Sequence, residues 1–294
     1  MKSTTQQSYH ERIARVVGYL SKQVNNNPSL ETLADIAAIS PFHFHRVYRA
    51  LTGETPSSTV RRLRLARACV LLRDTPKSVT EVAFEVGYDT SQSFAKAFRA
   101  ATGFTPTAIR KDLASLNRIL QELGNPSEAS TNDSRDLEVK MVSVEPFKVI
   151  ASRHVGPHKG LFKAYGELFQ WAETTGLVER FRGIYGIPID DPRDMPEGEC
   201  RFDCCFNFGP EANGNGRFRE DRLGGGTFVV TRHTGPYEGL EDKYDYLYGA
   251  WLNGSGYALR DQPAFNNYLN DPDSAPPEQW ETDIYVPVQP ASRT

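Results

Sequence analysis

Three thiols fall within six positions of this chain, Cys200, Cys204 and Cys205, and a fourth stands alone at Cys69. Thiols this close invite a metal or redox reading. The Cys-x3-Cys-Cys spacing fits no standard zinc pattern, and adjacent cysteines on a strand point to opposite faces. Free thiols in a reducing compartment fit better, and four cysteines are too few and too clustered for a disulfide framework. His43 and His45 form a second ligand-like pair, but no carboxylate or cysteine stands nearby at a useful spacing. The stretch RFREDRLGGGTF (217–228) lacks a Lys-Ser/Thr after its glycines, so it reads as a loop entering a strand and not as a phosphate cradle. No Ser-His-Asp or Cys-His constellation is readable. The sequence therefore points away from an enzyme and toward recognition chemistry, with no cofactor and no metal.

Recognition needs side chains held on rigid faces. Residues 9–125 supply helices, with apolar positions at helical spacing. Ile13, Val16, Val17 and Leu20 mark one helix, and Leu30, Leu33, Ile36 and Ala37 a second. Ser40 is an expected N-cap and Pro41 the first residue of a third helix, whose core stripe is Phe44, Val47, Tyr48 and Leu51. Removing that stripe leaves Phe42, His45, Arg46 and Arg49 facing outward. A long helix follows from about Ser57 to Leu72. The pattern then returns: at an offset of 50, seven of the thirteen positions 44–56 are identical, including Phe44/Phe94, Arg49/Arg99 and Gly53/Gly103. Each unit reads as a short helix, a tight turn and a second helix. Gly87 marks the second turn where Ala38 stands in the first. A helix-turn-helix sends its second helix into the DNA major groove.

Charge agrees with that reading. The chain of 294 residues carries a net charge of −3. Residues 1–125 hold 17 Lys and Arg against 10 Asp and Glu, a net of +7, and the remainder holds 17 against 27, a net of −10. A split of this size points to nucleic-acid binding by the basic half.

The stretches SPFHFHRVYRALTGETP (40–56), RLRLARACVLLRDT (62–75) and VAFEVGYDTSQSFAKAFRAATGFTP (82–106) resemble the DNA-binding domain of the AraC/XylS transcription regulators. The resemblance implies an all-α tandem helix-turn-helix domain over residues 8–115, with units at about 28–53 and 78–103. It places base-edge contacts at Phe42, His45 and Arg46 on the first recognition helix, and on the second Ser91, Gln92, Ser93 and Lys96 match the family's contact positions. Arg46 suits bidentate bonding to guanine, Gln92 has the amide that adenine requires, and Phe42 suits a thymine methyl. Arg61, Arg62, Arg64 and Arg67 on the linking helix fit phosphate contacts or solvated charge. Arg49 and Arg99 recur at equivalent sites, which fits an ion-pair partner as well as a DNA contact. A rigid linking helix would hold the two readers about one DNA turn, about 34 Å, apart.

The stretch at residues 116–137 is expected as a linker. Beyond it, alternating Leu137, Val139, Met141 and Phe147, Val149, Ala151 signal strands, and a helix is expected at about 160–175. A second repeat appears: residues 153–168 match 232–247 at eight of sixteen positions. An offset of 80 then pairs Trp171 with Trp251, Asp191-Pro192 with Asp271-Pro272, and Asp203 with Asp283. Two copies imply a pseudo-twofold α+β domain with a cleft between its halves, a common place for ligands.

GPYEGL (235–240), PAFNNYLNDP (263–272) and WETDIYVPV (280–288) are similar to the GyrI-like ligand-binding domain. The resemblance covers residues 138–290 and implies two duplicated strand-helix-strand-strand modules that take a small lipophilic, often cationic, molecule in an aromatic pocket. Phe147, Trp171, Tyr185, Tyr237, Trp251, Phe265 and Tyr268 are the aromatic candidates, since aromatic faces attract organic cations; core packing is the other reading for each. Family members often carry Glu in the segment PAFNNY, whereas this chain has Asn266. Glu281 and Asp283 are the substitute carboxylates, and the ligand expected is neutral or weakly cationic.

The leading expectation is a cytoplasmic transcription regulator that binds double-stranded DNA, senses a small-molecule effector and acts on RNA polymerase, without a membrane partner. One alternative makes the second domain a protein-protein module. Another makes it a GyrI-like hydrolase of reactive small molecules, with Glu281 and Tyr237 as acid and base.

Overall fold

The computed structural model describes residues 4–124, 137–196, 198–270 and 274–291. They divide into two compact bodies. One gathers the described residues up to Tyr9, Ser40–Val47 and the described residues from 137 onward; the other holds His10–Ile39 and residues 48–124. The expected division at residue 115 is thus crossed by a short segment, 40–47, that clusters with the second half of the chain.

The helical half runs α1 (Thr4–Lys22), α2 (Leu30–Ala37), α3 (Pro41–Thr52), α4 (Pro56–Asp74), α5 (Val79–Glu85), α6 (Ser91–Thr102), α7 (Pro106–Ile109) and α8 (Leu113–Gly124). Hydroxyl caps set most of the starts. Ser29, Thr55, Ser78, Thr90 and Thr105 each accept a hydrogen bond from a backbone N–H three residues on. Ser78 with Glu81 makes a full capping box. Ser40 is the exception: its backbone carbonyl accepts from Phe44, but its hydroxyl is buried without a hydrogen-bond partner. Leu65, Cys69, Leu72, Val82, Phe94, Phe98, Leu116 and Ile119 share one core. Leu116 and Ile119 correct the expected linker, because residues 116–124 belong to α8 and pack into that core. The rest of that linker, apart from residue 137, lies outside the described residues.

The second half runs β1 (Val139–Val144), β2 (Phe147–Val155), α9 (Leu161–Thr174), β3 (Gly183–Pro188), β4 (Arg201–Asn207), β5 (Arg219–Leu223), β6 (Gly226–Thr234), α10 (Leu240–Tyr246), α11 (Leu252–Ser255), β7 (Tyr257–Leu259), β8 (Phe265–Tyr268) and β9 (Glu281–Pro290). A π-helical turn, Leu247–Trp251, joins α10 to α11. The strands form one antiparallel sheet in the order β1-β6-β9-β8-β3-β4-β2-β5, with β7 on β9. The duplication is plain in this order: β2-α9-β3-β4 and β6-α10-β8-β9 are the two modules, and β3 meets β8 at the centre with Gly186 opposite Asn266.

The repeat also preserves side-chain bonds. His154 Nε2 lies 3.0 Å from the Pro157 carbonyl, and His233 Nε2 lies 2.8 Å from that of Pro236. Arg153 pairs with Asp203, and Arg232 with Asp283. The pairing of Asp191-Pro192 with Asp271-Pro272 cannot be followed, since residues 271–273 lie outside the described residues. One sheet face carries Val149, Ile187, Cys205, Phe228 and Phe265; the opposite face packs Ile150 and Phe206 against Leu168 and Ala172 of α9.

Candidate functional site

On α6, Phe94 and Phe98 are buried and anchor the helix, while Gln92, Ser93 and Lys96 are exposed and Ser91 is half-buried. Thr90 fixes the N-terminal turn, and the Ser93 hydroxyl is engaged there, donating to the Thr90 carbonyl at 2.9 Å. Gln92 and Lys96 are thus held outward on a capped, anchored helix.

The first recognition helix departs from expectation. Phe42 is exposed and Arg49 half-buried, but His45 and Arg46 are 3% and 1% exposed. Within the sheet body, Arg46 Nη1 donates to Glu241 Oε2 at 2.8 Å, and its guanidinium lies 3.9 Å from the centre of the Tyr244 ring. Burial alone would lower the Arg46 pKa; Glu241, Tyr244 and Asp191 more than offset this and raise it. Glu241 also accepts from Arg193 at 3.3 Å, and Arg193 pairs with Asp191 and Asp245. His43 is buried beside this group. Its Nε2 faces the Arg260 carbonyl at 2.9 Å and must donate, so its Nδ1 accepts from the Tyr248 hydroxyl at 2.7 Å. Burial holds His43 down at about 4 and His45 at about 3. In this arrangement Arg46 and His45 are buried beside Glu241 and the aspartates Asp190 and Asp191, which corrects their expected outward placement.

Two of the linking-helix arginines are struts. Arg62 pairs with Glu54 at 2.6 Å and donates to the Leu123 carbonyl. Arg64 donates to the Val24 carbonyl at 2.9 Å and to Asn27 at 3.0 Å. Arg61 and Arg67 are exposed. A hollow of about 350 Å³ lined by Pro28, Leu33, Val60, Arg61, Arg64 and Tyr88 lies in this helical body.

The aromatic candidates of the second half do not converge on one pocket. Phe147, Tyr185 and Phe265 pack together on one sheet face, with Phe265 stacked on Tyr285 at 4.6 Å. Asn266 and Tyr268 alternate with Phe265 and point to the other face. There Tyr237 stacks on Trp280 at 4.6 Å and meets Tyr268 at 5.3 Å, and Tyr165 meets Tyr268 at 6.1 Å. Trp171 stacks on Phe218, and Trp251 on Tyr257. Glu281 and Asp283 are both engaged by Arg232, so neither is an uncompensated carboxylate for a cation.

The helix-side face therefore holds the cleft candidates: Asn266 and Gly186 at the centre, with Tyr165, Tyr237, Tyr268 and Trp280 around them. Gly186 is required there, since a Cβ would stand 2.5 Å from the Phe202 ring and 2.9 Å from the Tyr165 hydroxyl. Asn266 is 2% exposed and accepts from the Tyr244 hydroxyl at 2.6 Å. Tyr165, Tyr244, Glu241 and Trp280 were not among the expected residues. The signal for two of them was present, because Tyr165 and Tyr244 are the same position of the repeat. The cysteines are buried and free, and burial raises Cys69 and Cys200 to about 11 and Cys204 to about 12, so they are poor nucleophiles at neutral pH.

A GyrI-like small molecule binding domain matches residues 137–289, and a helix-turn-helix domain matches residues 33–112. The MmsAB operon regulatory protein of Pseudomonas aeruginosa is 37% identical over 93 residues, 32% of this chain and 30% of that protein. The transcriptional activator RhaS of an Enterobacter species is 35% identical over 100 residues, 34% of this chain and 36% of that protein. The chain spans about a third of the length of these two relatives. Among solved structures, the EcmrR C-terminal domain is similar with a TM-score of 0.45 and 18% identity, over 53% of this chain and 99% of that one. The chain belongs to the GyrI-like family and joins that domain to a helix-turn-helix domain of the AraC type.

Proposed function

We propose that the chain is a sequence-specific DNA-binding transcription regulator whose GyrI-like domain takes a small lipophilic effector. The observation that carries the DNA-binding part is α6: a capped helix of a duplicated helix-turn-helix, anchored by Phe94 and Phe98, with Gln92 and Lys96 left outward. Gln92 reads a base edge and Lys96 a phosphate. Arg46, Phe42 and His45 serve the first half-site when residues 40–47 are available to DNA.

A duplex selected from a random pool by the full chain provides the test. Gln92→Ala should cost about 1–3 kcal/mol and relax specificity at one base pair, whereas Lys96→Ala should weaken all sequences alike. A uniform loss for Gln92→Ala would remove it from base readout. In vitro transcription from that site tests whether regulation passes through RNA polymerase.

The effector reading rests on the aromatic set around Asn266. A neutral amide bonded to Tyr244 does not neutralise a cation, which favours a neutral or weakly cationic ligand. Asn266→Glu should shift dye displacement toward cationic members of matched aryl pairs. Unchanged selectivity would sink this part. No thermal shift of the chain across a broad ligand panel would favour the protein-protein reading.

A further inference from the structure

Arg46 and Lys96 occupy the same position of the helix-turn-helix repeat. Lys96 is exposed; Arg46 is 1% exposed. The difference lies in what Arg46 meets. Glu241 and Tyr244, one turn of α10 apart, give it a carboxylate at 2.8 Å and an aromatic face at 3.9 Å. These are the two elements that hold an organic cation. Tyr244 in turn bonds Asn266 at the centre of the sheet, so Arg46 is linked through one side chain to the cleft candidates.

Two features distinguish this from permanent core packing. Arg46 Nη2 is buried without a hydrogen-bond partner, a half-satisfied guanidinium that costs free energy to hold. His45 beside it has neither ring nitrogen bonded. Polar groups left this way favour exchange for a state in which water or phosphates and base edges satisfy them. Losing Arg46 would not collapse the acidic group either, because Arg193 keeps Asp191 and Asp245.

We propose that Glu241 and Tyr244 form an autoinhibitory latch: they hold Arg46 as an internal cation, so that residues 40–47 are withheld from DNA, and DNA readout by Arg46 excludes this contact. The proposal rests on the DNA-binding reading above for the role of Arg46, but the contact itself is measured without DNA.

Phenylglyoxal labelling of the full chain, followed by peptide mass spectrometry, reads the accessibility of Arg46 against exposed Arg61 and Arg99. Arg46 should label about tenfold more slowly than these two in the unmodified chain, and Glu241→Gln should remove most of that protection. Glu241→Gln should also tighten binding to the selected duplex severalfold, while leaving an Arg46→Ala chain unchanged. Arg46 labelling as fast as Arg61 in the unmodified chain overturns the latch, and that measurement needs no variant to fold. Deprotection by Glu241→Gln without any gain in DNA affinity overturns the autoinhibition. If Arg46→Ala alone leaves DNA affinity intact, the base-reading role of Arg46 fails instead, and with it the reason for a latch at this residue.

Discussion

His43 and His45 are buried beside Arg46, and His45 also beside Asp190 and Asp191. For both, burial is the largest influence and lowers the pKa, to about 4 and about 3 from an ordinary 6.5. Arg46 pushes each further down. The Arg260 and Gln262 carbonyls and Asp261 favour protonation of His43, and Asp191 and Asp190 that of His45, without overcoming burial. In the unfolded chain both would take a proton near pH 6.5. The unfolded state thus binds more protons below that pH, and the stability these histidines contribute is complete above 6.5 and lost as pH falls toward 4. Each histidine removes up to ~1.4 kcal/mol per pH unit in that window. Urea unfolding at several pH values should show the decline, and His45→Leu should flatten part of it without loss at pH 7.5, since neither His45 nitrogen is bonded. A slope unchanged by His45→Leu would mean that His45 does not titrate with folding. None of this was legible in the sequence. A histidine and an arginine on the polar side of a helix read as exposed, and the partner that buries Arg46 lies 195 residues away.

Elements repeat in this chain, and the repeats let equivalent positions be compared. The turns of the two helix-turn-helix units are Ala38 and Gly87, and both adopt positive φ, 51° and 84°. At Gly87 a Cβ would stand 2.9 Å from Arg64 Nη2 and 3.1 Å from the Asn25 Cα, so the turn requires glycine on two counts. Ala38 is exposed and has only the backbone strain. The two substitutions should therefore have opposite signs: Ala38→Gly should stabilise by up to about 1 kcal/mol and Gly87→Ala should destabilise by more than that. Thermal melts of both variants decide it; equal shifts would show that the two turns are not strained alike. The glycine and the duplicated pattern were visible in the sequence, and they located α2, α3, α5 and α6 correctly. The grouping of the aromatic candidates was less legible. Phe265 and Asn266 are neighbours in sequence but point to opposite faces of β8, so a set built on aromatic type mixed a core cluster with a cleft cluster. Trp171 and Trp251 are repeat mates that each stack locally, on Phe218 and Tyr257.

At the scale of the whole molecule, the net charge of −3 averages a basic first part and an acidic second part, and the basic part is smaller than its count suggests. A guanidinium contributes to phosphate binding only if it is free to release a counterion on contact. Arg62 is engaged by Glu54 and the Leu123 carbonyl, Arg64 by the Val24 carbonyl and Asn27, and Arg46 by Glu241. Arg61, Arg67, Lys96 and Arg99 are exposed. The logarithm of DNA affinity falls with that of salt by about 0.9 per phosphate neutralised. Arg61→Ala should therefore reduce the salt slope by about 1 with no change in melting temperature, whereas Arg64→Ala should leave the slope unchanged and lower the melting temperature. Fluorescence anisotropy over a salt series, paired with thermal melts, separates the two. If both variants lose the same slope, Arg64 reaches phosphate despite its internal bonds, and the division between struts and DNA contacts fails. If the slope is reduced for Arg61 alone, the electrostatic footprint belongs to groups the fold leaves outward, and the charge split identifies the DNA-binding part of the chain without identifying which of its cations bind.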